Sequence, residues 1–107
     1  MSESGTPLTP AMFNVLLALA DGEKHGYAIL KEVEISTGTL YGIIKRLLME
    51  GFIVEMRTRP ASGDDQRRRY YQLTAAGRAT AIAEARRMES VISRARAKRL
   101  IHAVKPA

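Results

Sequence analysis

The sequence predicts a mostly α fold with one small β-hairpin, closed by a long C-terminal helix. Three observations carry that expectation. Thr39-Leu40-Tyr41-Gly42-Ile43-Ile44-Lys45-Arg46-Leu47-Leu48 is an amphipathic helical pattern. It leads into Glu50-Gly51-Phe52-Ile53-Val54-Glu55, where a helix stops and a strand starts. The chain then returns through Arg67-Arg68-Arg69-Tyr70-Tyr71-Gln72-Leu73 to Thr74-Ala75-Ala76-Gly77, the opening of another helix. A helix, two strands bearing a triple arginine and a further helix, in that order, are the parts of a winged helix-turn-helix.

Met1 to Pro7 is a polar leader expected to fray. The first helix is capped by Thr9, with Pro10 at a position where its missing N–H costs nothing. Leu8 and Phe13 are spaced as a hydrophobic staple. Phe13, Leu16, Leu17 and Ala20 give the apolar stripe, and Gly22 is placed to end the helix. A second helix is expected from His25 to Val33, buried through Ala28, Ile29 and Val33. The third begins at Ser36, a capping hydroxyl, and stops at Gly51. Its apolar face is Leu40, Ile43, Ile44, Leu47 and Leu48.

The strands of the wing are expected over Ile53–Thr58 and Arg68–Leu73, joined by a polar, turn-rich tip from Arg59 to Arg67. From Thr74 one long helix runs nearly to Pro106. Along it Ala81, Ala85, Met88, Ile92 and Ala95 alternate by four and three, a heptad-like seam that Ile82 and Val91 widen. A chain of 107 residues has little core with which to cover that seam, so self-association into a homodimer is the economical solution. The competing reading folds the helix back on the first helix of the same chain. The expected organisation is a leader at 1–7, a winged helix-turn-helix DNA-binding domain at 8–74, and a dimerisation helix with a short tail at 75–107.

Composition narrows the function. Cysteine is absent, which removes disulfides, thiolate metal sites and thiol catalysis. No apolar run is long enough to cross a bilayer and no secretory leader is evident, so a cytoplasmic, soluble protein is expected. The net charge of +6 is unevenly spread. Residues 1–56 hold four bases against seven acids, whereas residues 57–99 hold twelve bases against four acids. That polarity suggests one surface that meets a polyanion. His25 and His102 are far apart and have no metal-ligand spacing to other residues. Asp64-Asp65 reads as turn former and salt-bridge partner in an arginine-rich loop. With no phosphate loop or hydrolase motif, neither an enzyme nor a cofactor is expected.

Double-stranded DNA is the expected partner. Ser36, Thr37, Gly38 and Thr39 are small and polar at a helix N-terminus, where free N–H groups and the dipole favour a phosphate. Tyr41 and Lys45 follow one turn apart beside Gly42, placed to reach a phosphate or a base edge. Tyr41 has a second reading, packing against the second helix. Arg57, Arg59, Arg67, Arg68 and Arg69 can line the wing, with strand alternation sending Arg67 and Arg69 to one face and Arg68 to the other.

Several motifs carry a resemblance to a known family. His25-Gly26-Tyr27-Ala28-Ile29, Gly38-Thr39-Leu40-Tyr41, Lys45-Arg46-Leu47, Glu50-Gly51-Phe52-Ile53 and Arg68-Arg69-Tyr70-Tyr71-Gln72-Leu73-Thr74-Ala75-Ala76-Gly77 together resemble the PadR-like transcriptional regulators, over about Leu8 to Gly77. The single C-terminal helix is similar to that of the smaller subfamily. The resemblance implies a winged-helix homodimer, usually a repressor, held by the C-terminal helix with help from the first. It also implies Tyr27, Thr39, Tyr41 and Lys45 as DNA-facing positions, and in some members a small-molecule effector at the dimer interface. Two departures bear on those expectations. Glu34-Ile35 leads straight into Ser36-Thr37-Gly38 where the family has a longer link, which puts its groove geometry in doubt. The chain has no Trp, the residue that lines the effector pocket of some small members. Two other readings compete: a winged-helix interaction module for protein partners without operator recognition, and a non-specific nucleic-acid-coating protein. The coating protein would need aromatic stacking platforms, and the chain has four Tyr and two Phe, mostly in apolar patterns.

Overall fold

The structure, a computed structural model, describes residues 8–56 and 69–102. Their elements run α1 (Pro10–Ala18), β1 (Lys24–His25), α2 (Gly26–Val33), α3 (Thr37–Glu50), β2 (Ile53–Met56), β3 (Tyr70–Leu73) and α4 (Ala75–Ala97). This is a winged helix-turn-helix followed by a long helix, as the sequence predicts. The expected leader, the wing tip and the outer ends of both wing strands lie outside the described residues.

Each helix starts on a side-chain acceptor. Thr9 takes the N–H of Met12 at 3.1 Å, Ser36 that of Thr39 at 3.1 Å, and Thr74 that of Gly77 at 3.0 Å. For α2 the cap is His25, whose Nδ1 accepts the Ala28 N–H at 3.2 Å. Hydroxyl caps of this kind contribute about 1 kcal/mol each.

α1 sits at the centre and packs on α2, α3 and α4. Val15, Leu16 and Leu19 meet Ile29 of α2, Leu40, Ile44 and Leu47 of α3, and Ile53, Tyr71 and Leu73 of the sheet in one core. The helix ends at Ala18 and not at Gly22, which lies in the following turn with φ 145°. Side chains take the last carbonyls: Lys24 Nζ donates to Ala18 O at 2.6 Å, and Arg78 Nη2 donates to Ala20 O at 3.0 Å.

The sheet has three strands, ordered β1-β3-β2 and antiparallel throughout. The sequence reading has only the β2–β3 pair. β1 joins because Lys24 and His25 pair with Tyr71 and Tyr70, tying the start of α2 to the wing.

Two left-handed residues set the corners of the helix-turn-helix. Glu34, with φ 57°, donates its N–H to Leu30 O at 2.9 Å and closes α2, so only residues 34–36 separate α2 from α3. A non-glycine residue in that region costs roughly 1–2 kcal/mol. Gly51, with φ 79°, ends α3, and the next residue, Phe52, donates back to Leu47 O at 3.0 Å. Phe52 O in turn accepts the Thr74 N–H at 3.0 Å, and Thr74 Oγ1 donates to Gly51 O at 2.6 Å. The end of α3 and the start of α4 are therefore clamped together.

α4 divides between the two readings of its seam. Ala81 packs on the chain's own core, so the fold-back reading holds for the first turns. Beyond it Ala85, Met88 and Ile92 are exposed, and Ala95 is half-buried. The helix stops at Ala97, well before Pro106. Arg99 adopts φ 65°, and the N–H groups of Arg99 and Leu100 turn back to Arg96 O and Ala95 O. Among the described residues no helix is long and apolar enough to cross a membrane.

Candidate nucleic-acid interface

The first two turns of α3 form a polar, open surface. Ser36, Thr37, Gly38, Thr39, Tyr41, Gly42 and Lys45 are all exposed. Ser36 caps the Thr39 N–H, and its hydroxyl also donates to Thr39 Oγ1 at 2.8 Å. The first helical bond runs from the Leu40 N–H to Ser36 O at 2.9 Å, so the N–H groups of Thr37 and Gly38 precede the helical ladder. No acidic residue stands in this turn to offset the positive end of the dipole. A Cβ added at Gly38 or Gly42 would meet nothing within 4 Å. A phosphate or a groove edge can approach this backbone without meeting a side chain.

α2 adds a second strip. Tyr27 is 60% exposed, and Lys31, one turn on, holds its ammonium 5.6 Å from the ring centroid. The His25 ring stacks on Tyr27 at 6.4 Å and meets Tyr70 edge-on at 5.4 Å. Lys31 is missing from the sequence-based set, although its spacing of four from Tyr27 on a helix would place it there.

Tyr41 departs from the free reading-head role. Its phenol lies over Gly26, the first residue of α2: a Cβ built on Gly26 would sit 2.7 Å from the hydroxyl oxygen. The ring remains 50% exposed. Buried Tyr71 is close by. Burial pushes its phenol above the ordinary tyrosine pKa; Glu55 and Tyr41 add to the push and Arg69 opposes it.

At the root of the wing, Arg69 Nε lies 3.6 Å from Glu55 on the neighbouring strand. This pair offsets part of the charge that the sequence assigns to DNA, though Arg69 stays well exposed. Arg57, Arg59, Arg67 and Arg68 lie outside the described residues. Among the described residues no group of three His, Cys, Asp or Glu gathers as a metal site.

Between α1 and α4 lies a largely apolar cleft. Leu8, Pro10, Phe13 and Leu17 line one wall, Glu84, Arg87 and Met88 the other. Glu84 and Arg87 are paired at 2.7 Å, which holds the Glu84 carboxyl below its ordinary pKa. The dimerisation candidates Ala85, Met88, Ile92 and Ala95 continue along this face of α4 in their seam order, and Ala81 is the one that its own core already covers.

Comparison with known proteins agrees with this architecture. No curated protein matches the sequence. Among solved structures, the transcriptional regulator PA4135 is 25% identical with a TM-score of 0.72, covering 85% of this chain and 65% of that one. Bordetella bronchiseptica BpsR, whose DNA binding is regulated by 6-hydroxynicotinic acid, is 28% identical with a TM-score of 0.69, covering 83% and 61%. The chain thus spans just under two thirds of the length of either. A PadR family transcription regulator from Clostridium difficile shares the fold at a TM-score of 0.75 and 22% identity, over 87% of this chain and all of that one. The model of the transcriptional regulator PadR-like family matches residues 15–83, most of the described winged helix and the first turns of α4. The chain belongs to the PadR-like family of transcriptional regulators.

Proposed function

We propose that the protein is a homodimeric, sequence-specific DNA-binding repressor acting on a two-fold operator. The observation that carries this reading is the start of α3, where small exposed residues, two open glycines and an uncompensated helix N-terminus coincide. In this reading residues 8–74 form the DNA-binding unit, with Ser36, Thr37, Gly38, Thr39, Gly42 and Lys45 meeting the groove. Tyr27 with Lys31, and Arg69 with the sequence's Arg67, grip the flanking phosphates. The helix and tail at 75–107 pair two copies through the exposed part of the seam. The cleft between α1 and α4 opens beside that seam, which supports a site there for a small, largely apolar effector.

Selection of bound duplexes from a random pool tests the reading. The enriched sequence is expected to carry a dyad whose half-sites lie about 34 Å apart. If the dimer neutralises about 6–10 phosphates, affinity falls roughly 10³–10⁵-fold between 50 and 200 mM salt. A flat salt dependence, or enrichment of a sequence with no dyad, contradicts it.

A further inference from the structure

The contact between Gly26 and Tyr41 gives α3 a fixed seat. Gly26 is buried at the first position of α2, and Tyr41 belongs to the second turn of α3. Their backbones are joined only through the short link at residues 34–36, closed by the left-handed Glu34. A link that short constrains where α3 begins but not how it is rotated about its own axis. Leu40, Ile44 and Leu47 in the core set that rotation on the buried side, and the phenol of Tyr41 lying across the bare Cα of Gly26 is the contact beside the exposed face that adjusts it. We propose that Tyr41 is a positioning residue, with Gly26 as its seat, and that this contact adjusts the rotation at which α3 presents Thr37, Gly38, Gly42 and Lys45 to DNA.

The geometry explains why the seat is glycine. Gly26 is not among the residues with positive φ, so its backbone accepts alanine. The obstacle is local: a methyl there would stand 2.7 Å from Tyr41 Oη, 3.4 Å from Cζ and 3.6 Å from Cε1. Without the hydroxyl, the nearest remaining atom is at ordinary contact distance. A methyl at Gly26 therefore displaces the Tyr41 phenol from this seat only while the hydroxyl is present.

This inference rests on the operator reading above and is tested by a double-mutant cycle. Gly26→Ala is made in the wild-type and in the Tyr41→Phe backgrounds. Each variant is titrated by fluorescence anisotropy with the duplex enriched by the wild type and with a shuffled duplex. Thermal melting is followed without DNA. In the wild-type background Gly26→Ala is expected to lower the preference for the enriched duplex by about tenfold, a size usual for contacting residues. In the Tyr41→Phe background the same change is expected to cost little. Equal cost in both backgrounds, or no cost in either, overturns the proposal. If Gly26→Ala alone does not fold, the double variant decides. A folded double variant with the preference of the Tyr41→Phe single variant supports the seat, and an unfolded one overturns it. Failure of the two readings is distinguishable. No enriched duplex at all removes the operator reading and the positioning role together, even where melting temperatures still couple. An enriched duplex whose preference is lost equally in both backgrounds, or in neither, removes the positioning role alone.

Discussion

Gly77→Ala is expected to lower the melting temperature by about 15 °C, on the order of 3 kcal/mol for a domain of this size. Gly77 is buried in the first turn of α4, and a Cβ there would lie 1.9 Å from the carbonyl oxygen of Phe52 and 2.8 Å from its carbonyl carbon. The obstacle is backbone, so no rotamer change relieves it. The same carbonyl accepts the Thr74 N–H, and Thr74 holds Gly51 O, so moving Phe52 loosens the whole clamp between α3 and α4. Gly38→Ala and Gly42→Ala are the controls: neither would meet a neighbour, and alanine is favoured over glycine in a helix by about 1 kcal/mol. Thermal unfolding followed by circular dichroism separates the cases. A Gly77→Ala melt within a few degrees of the controls removes the close approach from the account.

The second large effect concerns assembly. If the wild type forms the proposed dimer, Met88→Asp and Ile92→Asp are each expected to give monomers in sedimentation at the same concentration. Met88 and Ile92 remain 40% and 42% exposed in the single chain, with Ile82 and Val91 beside them at 45% and 42%. Burying the part still exposed contributes roughly 1 kcal/mol per side chain, and a two-fold interface counts each residue twice. An aspartate on the seam would instead carry a charge into an apolar contact that offers it no partner. Folding should survive, because neither residue belongs to the chain's own core. A monomer keeps one reading surface, so its salt dependence should be about half that of the dimer. If both variants sediment as dimers, the seam lies elsewhere.

The parts of the fold that were legible in the sequence are those whose chemistry is local. Thr9, Ser36 and Thr74 announce helix starts because a hydroxyl and an N–H three residues on are all that a cap requires. Gly51 announces an end because it supplies a left-handed residue. β1 was not legible, since two residues have no periodicity and its existence depends on Tyr70 and Tyr71, far along the chain. Nor was the end of α4: Arg99 takes a left-handed turn that arginine seldom marks. Nor was the early end of α1 at Ala18, whose carbonyl accepts from Lys24 of β1.

The candidate interface divides in the same way. That α3 opens with small polar residues is visible in Ser36-Thr37-Gly38-Thr39 itself. Residue type alone leaves Tyr41 between DNA and the second helix, because both need an aromatic ring on that face. Only the position of Gly26 in space brings the hydroxyl to a seat. Glu55 likewise pairs with Arg69 through strand register, which residue type alone does not reveal.

The central claim is that the exposed face of α3 distinguishes one DNA sequence from another, and Gly42→Leu tests it most directly. Gly42 is exposed, an added Cβ meets nothing within 4 Å, and leucine is a better helix former than glycine, so the fold should tolerate the change. No charge is altered, so the phosphate grip proposed for Lys31 and Arg69 stays in place. Anisotropy titrations with the enriched and shuffled duplexes at matched salt should show the enriched duplex losing affinity while the shuffled one is unchanged. The ratio of the two then falls toward one. A ratio equal to that of the wild type would mean that α3 does not read the DNA.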